Sequence, residues 1–175
     1  MKHQDLIENF IHSNGIHKTL GNVRVDYDKV YHYGTLIATK VQLPDNKYIV
    51  VIDEKYKGYS SSTNNLITLI IRTTYNNSYT DYIFIDSTYK YKSNKYIKQD
   101  LYNKCLELIK KASKARATNK AIYTQALKEQ LTVHNYKFRD TLKLVYPHKR
   151  KISDVELNSL KSKLIIQAMK YKLEL

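Results

Sequence analysis

"VYHYGTLIATKVQLPDNKYIVVI", residues 30–52, is the stretch whose reading decides the fold. From Val30 to Leu43 it is β-branched and aromatic, and Pro44-Asp45-Asn46 is turn chemistry. Lys47–Ile52 then returns as a second apolar run, so the whole reads as a β-hairpin. Working outward, strand-like periodicity begins at Val23, and "DYIFID", 81–86, supplies a further strand. On the N-terminal side, Leu6, Ile7, Phe10 and Ile11 fall at helical spacing over residues 3–13, with Gly15 as a stop. Between the hairpin and the 81–86 strand lies a polar loop, "GYSSSTNN" at 58–65. It leads into "LITLIIRTTY" at 66–75, which is ambiguous: Leu66, Leu69 and Ile70 fit a short buried helix, with a buried strand as the alternative.

Beyond residue 90 the period is helical. Ile97, Leu101, Cys105, Leu108 and Ala112 form one apolar stripe. A second helix is expected after Thr118, with Ile122, Ala126, Phe138, Leu142 and Val145 as core positions. It would bend or break near "LTVHNY", 131–136, and end at Pro147. "SDVE", 153–156, is a capping box with Ser153 as N-cap and Glu156 at N3. It opens a third helix carrying Leu157, Leu160, Leu164, Ala168 and Tyr171 along one side. The expected architecture is α+β. A short N-terminal helix and a small antiparallel sheet occupy residues 1–90, and a basic layer of about three helices occupies 91–175, the two packed as one compact unit.

The chain of 175 residues carries a net charge of +14, and the charge is unevenly placed. Residues 1–90 hold ten basic and nine acidic side chains, a balance of +1, whereas residues 91–175 hold twenty and seven, a balance of +13. A codon bias toward A+T would enrich lysine in both halves alike, so the asymmetry calls for a physical reason. A basic half on a neutral half suits a polyanionic partner. The longest apolar runs, "YIVVI" and "LITLII", are too short to span a bilayer. "MKHQDLIENF" bears acids where a signal peptide needs an apolar run. The single Cys105 excludes an internal disulfide and any multi-cysteine zinc site. A soluble, cytoplasmic protein is expected.

Catalytic patterns fare poorly. Pro44-Asp45 followed by Asp53-x-Lys55 has the form of a metal-dependent nuclease signature. In the hairpin, however, Asp45 lies in the turn and Asp53 at the far end of the next strand. Eight residues at roughly 3.3 Å each part them by about 26 Å, too far to share one ion. None of the six histidines forms an H-x-H or H-E-x-x-H pair. Cys105 sits on an apolar helical face and reads as core. No catalytic residue, cofactor, metal site or small-molecule substrate is therefore expected. A metal-free ribonuclease built from convergent His, Lys and Tyr is the enzymatic alternative. Ser60, Ser61, Ser62 and Thr63 form a candidate phosphate loop before a helix start, against a plainer role for Ser62 or Thr63 as N-cap.

The basic half carries the functional expectation. Between Lys92 and Lys128 only Asp100 and Glu107 intervene, so most lysines lack an i,i+4 acid. "KKASKAR", 110–116, and "PHKRK", 147–151, are separate basic clusters, with Tyr89, Tyr91, Tyr96, Tyr102, Tyr123, Tyr136 and Tyr146 recurring beside them. Cations on phosphates give salt-dependent affinity, and aromatic faces stack on unpaired bases. This favours RNA over duplex DNA as partner. The expected phosphate contacts are Lys90, Lys92, Lys95, Lys98, Lys110, Lys111, Lys114, Arg116, Lys149, Arg150 and Lys151, with Tyr89, Tyr91 and Tyr96 as stacking residues. If 87–92 continued the preceding strand, Tyr89 and Tyr91 would share one face and Lys90 and Lys92 the other. A DNA-binding regulator using the C-terminal helices is the second alternative. It lacks the tight glycine-containing turn of a helix-turn-helix. A protein module docking on an acidic partner is the third.

Two resemblances bear on this. Gly34, Thr35, Ile37 and Ala38, followed by Tyr59, Ser60, Ser62 and Thr63, resemble a small domain of bacteriophage and mobile-element proteins. That domain couples a Gly/Thr-hydrophobic-Ala strand to a Tyr-Ser-x-Thr-Thr-x-x-His turn. Leu66 stands where the family has its histidine, so no role of that histidine carries over. A small basic Lys/Tyr/Asn-rich chain also resembles phage counter-defence proteins, including anti-CRISPR proteins. The resemblance implies inhibition of a host CRISPR-type ribonucleoprotein complex.

Overall fold

A computed structural model describes residues 2–13, 15–133 and 137–173. The chain divides into two compact units, residues 1–87 and 88–175.

In the first unit, α1 (His3–His12) buries Leu6, Ile7, Phe10 and Ile11, the four apolar positions of its helical period. β1 (Ile16–Leu20), β2 (Val23–Tyr27), β3 (Lys29–His32), β4 (Thr35–Gln42) and β5 (Tyr48–Asp53) follow as an antiparallel meander. The hairpin expected at 44–46 joins β4 to β5, but "VYHYGTLIATKVQL" proves to be two strands. Tyr33 at φ 49 and Gly34 at φ 77 reverse the chain inside it. Two successive positive-φ residues give the tight turn whose twist matches paired strands. β1 is also additional. Its signal was Gly21-Asn22 between apolar positions, a two-residue hairpin loop.

"LITLIIRTTY" belongs to α2 (Ser61–Tyr75). Its buried residues, Thr63, Leu66, Ile67, Ile70, Thr73 and Thr74, recur every three or four positions. The threonines that made a strand plausible satisfy their hydroxyls within the helix: Thr73 donates to the Leu69 carbonyl at 2.9 Å and Thr74 to that of Ile70 at 2.8 Å. Because α2 carries the chain back along the sheet, β6 (Thr80–Ile85) pairs parallel to β5. The class is thus α+β, with a six-stranded sheet in sequential order whose last pair is parallel. α1 and α2 cover one face, packing Phe10, Leu66 and Ile70 against Val25, Val30, Val50 and Ile52. Lys40 is buried at the end of α1, donating to the carbonyls of Phe10 at 2.7 Å and Ser13 at 2.6 Å. Burial pulls its pKa down, outweighing Asp28.

In the second unit, α3 (Asn94–Lys114), α4 (Ala117–Val133), α5 (Lys137–Val145) and α6 (Asp154–Lys170) make four helices among the described residues. About three were expected. The stretch expected as the second helix is described as α4 and α5, and residues 134–136, where the bend or break near "LTVHNY" was expected, lie outside the described residues. α3 buries Ile97, Leu101, Cys105 and Ala112 as read from the sequence, with Ile109 in place of the half-buried Leu108. On α4 the core residues are Leu127 and Leu131, and Ile122 is 60% exposed. Expecting Ile122 and Ala126 inside set the helical phase wrongly. Phe138 and Leu142 of α5 are buried. Leu157, Leu164 and Ala168 of α6 are buried, whereas Tyr171 is exposed and Leu173 takes the buried place beyond it.

The capping box of α6 forms as read. The Ser153 hydroxyl accepts from the Glu156 amide at 3.2 Å, and the Glu156 carboxylate accepts from the Ser153 amide at 2.9 Å. Glu156 also takes Lys98 at 2.6 Å, tying α6 to α3. Lys98 first, then the Ser153 amide, hold its carboxyl down to about 2. A depressed carboxyl stabilises the fold above its unfolded pKa of about 4.5, and that contribution drains away as pH falls toward 2. Urea unfolding followed from pH 6 to pH 2 is expected to show a shallower acid loss in Glu156→Gln than in wild type. An identical decline in both would remove Glu156 from the acid sensitivity.

Candidate nucleic-acid interface

The cations sit where the α3 stripe leaves them. With Ile97, Leu101, Cys105, Ile109 and Ala112 buried, Lys95, Lys110, Lys111 and Lys114 fall on exposed positions. α3 spans 21 residues, about 30 Å, and the expected contacts gather at its two ends.

At the C-terminal end, Lys110, Lys111 and Lys114 meet the start of α4 around a cleft of about 370 Å³ that Asn119 and Tyr123 also line. Arg116 lies in the two-residue connection between the helices and is exposed. Among the described residues these four cations make no ion pair, and no carboxylate lines the cleft. Tyr123 was among the tyrosines noted beside the basic clusters, whereas Asn119 was not singled out from sequence. The tight α3–α4 connection that brings them beside the lysines carries no glycine, and so gave no signal.

At the N-terminal end the two basic segments come together. Residues 147–151 are fastened to 90–94 by hydrogen bonds that sequence could not show. His148 Nε2 lies 3.2 Å from the Lys90 carbonyl, Lys149 Nζ donates to the Lys92 carbonyl, and Asn94 Nδ2 donates to the Arg150 carbonyl at 2.7 Å. Here the expected contacts divide. Lys149 serves this clasp and is half-buried. Lys98 is held by Glu156, Arg150 pairs with Glu156 at 3.1 Å, and Lys151 pairs with Asp140 at 3.2 Å. The Arg150 and Lys151 side chains are nevertheless 75% and 56% exposed, and such surface pairs hold weakly, so both still add to the local field. Lys90, Lys92 and Lys95 make no ion pair among the described residues; Lys90 Nζ stands 5.5 Å from the Tyr91 ring and Lys92 Nζ 4.7 Å from that of Tyr96.

The stretch carrying the tyrosines is neither strand nor loop. β6 ends at Ile85, and Ser87–Tyr91 coils into a short 3-10 helix. Tyr91 and Tyr96 are 81% and 48% exposed, consistent with stacking. Tyr89 is 1% exposed and is corrected to a core residue. Its hydroxyl donates to Asp100 and accepts from Lys104 Nζ at 3.1 Å, and its ring meets Phe138 edge-on at 6.2 Å. Burial, with the Asp100 hydrogen bond, pushes the phenol pKa far up.

Compared with known proteins, the chain matches no family model, no curated protein and no solved structure.

The cap of α2 differs from the sequence reading. Ser60, not Ser62 or Thr63, is the N-cap of α2, accepting from the Thr63 amide at 3.2 Å. Its hydroxyl also donates to Thr63 Oγ1 at 2.9 Å, and Thr63 meets His32 Nδ1 at 3.2 Å. Thr63 is buried, and only Ser61 and Ser62 face solvent. The hydroxyls of Ser60, Ser62 and Thr63 serve the cap and one another. Burial, then His3, lowers the His32 pKa.

Asp45 and Asp53 lie at opposite ends of the second hairpin strand, each beside its own lysine, Lys47 and Lys55, both at 3.3 Å. Among the described residues no three His, Cys, Asp or Glu side chains converge as a metal site. Burial raises the Cys105 thiol to about 11, leaving it unreactive near neutral pH. No helix among the described residues is long and apolar enough to cross a membrane.

Proposed function

We propose that this protein is a non-catalytic RNA-binding protein of a phage or mobile element that obstructs a host ribonucleoprotein defence complex of the CRISPR type. The observation that carries the binding half is the exposed set Lys110, Lys111 and Lys114 beside Tyr123, with the exposed Arg116 next in the chain, none of them ion-paired among the described residues. Unpaired exposed lysines keep their full field for a polyanion, whereas paired ones have given part of it away. The exposed tyrosines Tyr91 and Tyr96, each beside a lysine, support unpaired bases over a closed duplex. The target half rests on the likeness to counter-defence proteins alone. The protein would act in the cytoplasm of the infected or element-bearing cell, where such complexes assemble.

The first measurement is the ratio of absorbance at 260 and 280 nm after purification, followed by a gel shift with labelled RNA at low salt. Co-purified nucleic acid that RNase removes, and a shift that salt abolishes, are expected. A protein-only spectrum with no shift would sink the proposal. Intact RNA after prolonged incubation, with and without EDTA, is the expected result against the ribonuclease alternative.

A further inference from the structure

α3 and α6 pack side by side through Cys105, Ile109 and Ala112 against Leu164 and Ala168. Toward their N-terminal ends they leave a groove of about 560 Å³. Tyr102, Val155 and Leu160 give it an apolar lining, and Lys95 and Lys163 stand on its two sides. Of these residues only Lys95, as a phosphate contact, and Tyr102, as one of the tyrosines beside the basic clusters, carried a functional reading from sequence. Neither lysine has an ion-pair partner among the described residues. The one carboxylate lining the groove, Glu156, is neutralised by Lys98 at 2.6 Å and Arg150 at 3.1 Å, so no bare anion opposes a phosphate there.

We propose that this groove receives one unpaired base of a single-stranded RNA segment, with the flanking phosphates on Lys95 and Lys163. The inference rests on the nucleic-acid reading above and adds where single strands are told from duplexes. The size lies within the range of pockets that enclose small ligands, about 300–1,000 Å³. An apolar wall beside a tyrosine takes the flat face of a base, while a rim of unpaired cations selects an occupant that carries negative charge on both sides. A nucleotide within a chain has that pattern. A base held in a duplex does not offer its face, so duplex RNA would reach only the exposed lysines.

The test compares a single-stranded RNA oligonucleotide with the duplex of the same sequence, for wild type, Ser159→Leu and Lys163→Gln. Ser159 is exposed on α6 and lines the groove, so leucine fills the space without offering a π-face. Wild type is expected to prefer the single strand about tenfold. Ser159→Leu is expected to lower single-strand affinity about threefold to fivefold, narrowing the preference to what the exposed tyrosines supply, while leaving duplex affinity and the urea midpoint unchanged. Lys163→Gln should weaken single-strand binding about threefold to fivefold. A wild type without preference, a preference undiminished by Ser159→Leu, or a loss of both forms alike in the two variants would overturn the groove and leave the nucleic-acid reading standing. A wild type that binds neither form would overturn both.

Discussion

Reversing Lys110, Lys111 and Lys114 to glutamate together is expected to lower RNA affinity on the order of a hundredfold at about 0.1 M salt, three charge-assisted contacts at roughly 1 kcal/mol each. The three side chains are exposed, surround one cleft with Tyr123, and have no internal ion pair among the described residues to lose. The fold should therefore survive the change. The more telling reading is the salt dependence. Each phosphate neutralised on a single strand contributes about 0.7 to the slope of log affinity against log salt, so losing three flattens it by about 2. Reversal of Arg150 and Lys151 should do much less, because those side chains already share their charge with Glu156 and Asp140. An unchanged slope in the triple variant would mean that the nucleic acid does not touch this end of α3. Equal effects from the two sets would mean a diffuse field rather than a site.

What sequence could and could not read follows from range. Helix and strand periods are local, so the α1 core, the β4–β5 hairpin, the α3 stripe and the Ser153–Glu156 capping box were legible. The parallel β5–β6 pair was not, because it depends on "LITLIIRTTY" being a helix. Its threonines look β-forming until their hydroxyls find carbonyls four residues back. Charge was legible as an amount and not as an arrangement. Eleven cations stood equal in the sequence, yet the fold commits Lys98 to Glu156 and Lys149 to a backbone carbonyl while leaving Lys110, Lys111 and Lys114 open. The clasp between 147–151 and 90–94 consists of side chains reaching carbonyls more than fifty residues away, and no local pattern announces such bonds. Asp100, one of two acids between Lys92 and Lys128, carried no structural reading in the sequence. It is the acceptor for Tyr89 and the ion-pair partner of Lys104 at 2.9 Å, and these two bonds hold its pKa down against the burial that would raise it.

The segment "STYKY", 87–91, offers the sharpest separation of stability from binding, because its two tyrosines have opposite fates. Tyr89→Ala is expected to cost about 3–5 kcal/mol, the usual loss for truncating a large buried aromatic. It would leave a cavity beside Phe138 and remove the hydroxyl that Asp100 and Lys104 share. Against a typical whole-domain stability of about 5–15 kcal/mol, that is a loss large enough to shift the urea midpoint strongly. Tyr89→Phe keeps the ring and should cost only about 1–2 kcal/mol, since Asp100 retains Lys104. Tyr91→Ala, two residues on and 81% exposed, should change stability by less than about 0.5 kcal/mol. It should instead weaken single-stranded RNA binding, by roughly 1–3 kcal/mol if its ring stacks on a base. The strand reading would have put both rings on one face and predicted similar outcomes for both. The 3-10 turn sends Tyr89 inward and leaves Tyr91 in solvent, so stability and affinity should part between them. Equal losses of stability at the two positions, or a Tyr91 variant that unfolds while the Tyr89 variant does not, would refute that placement.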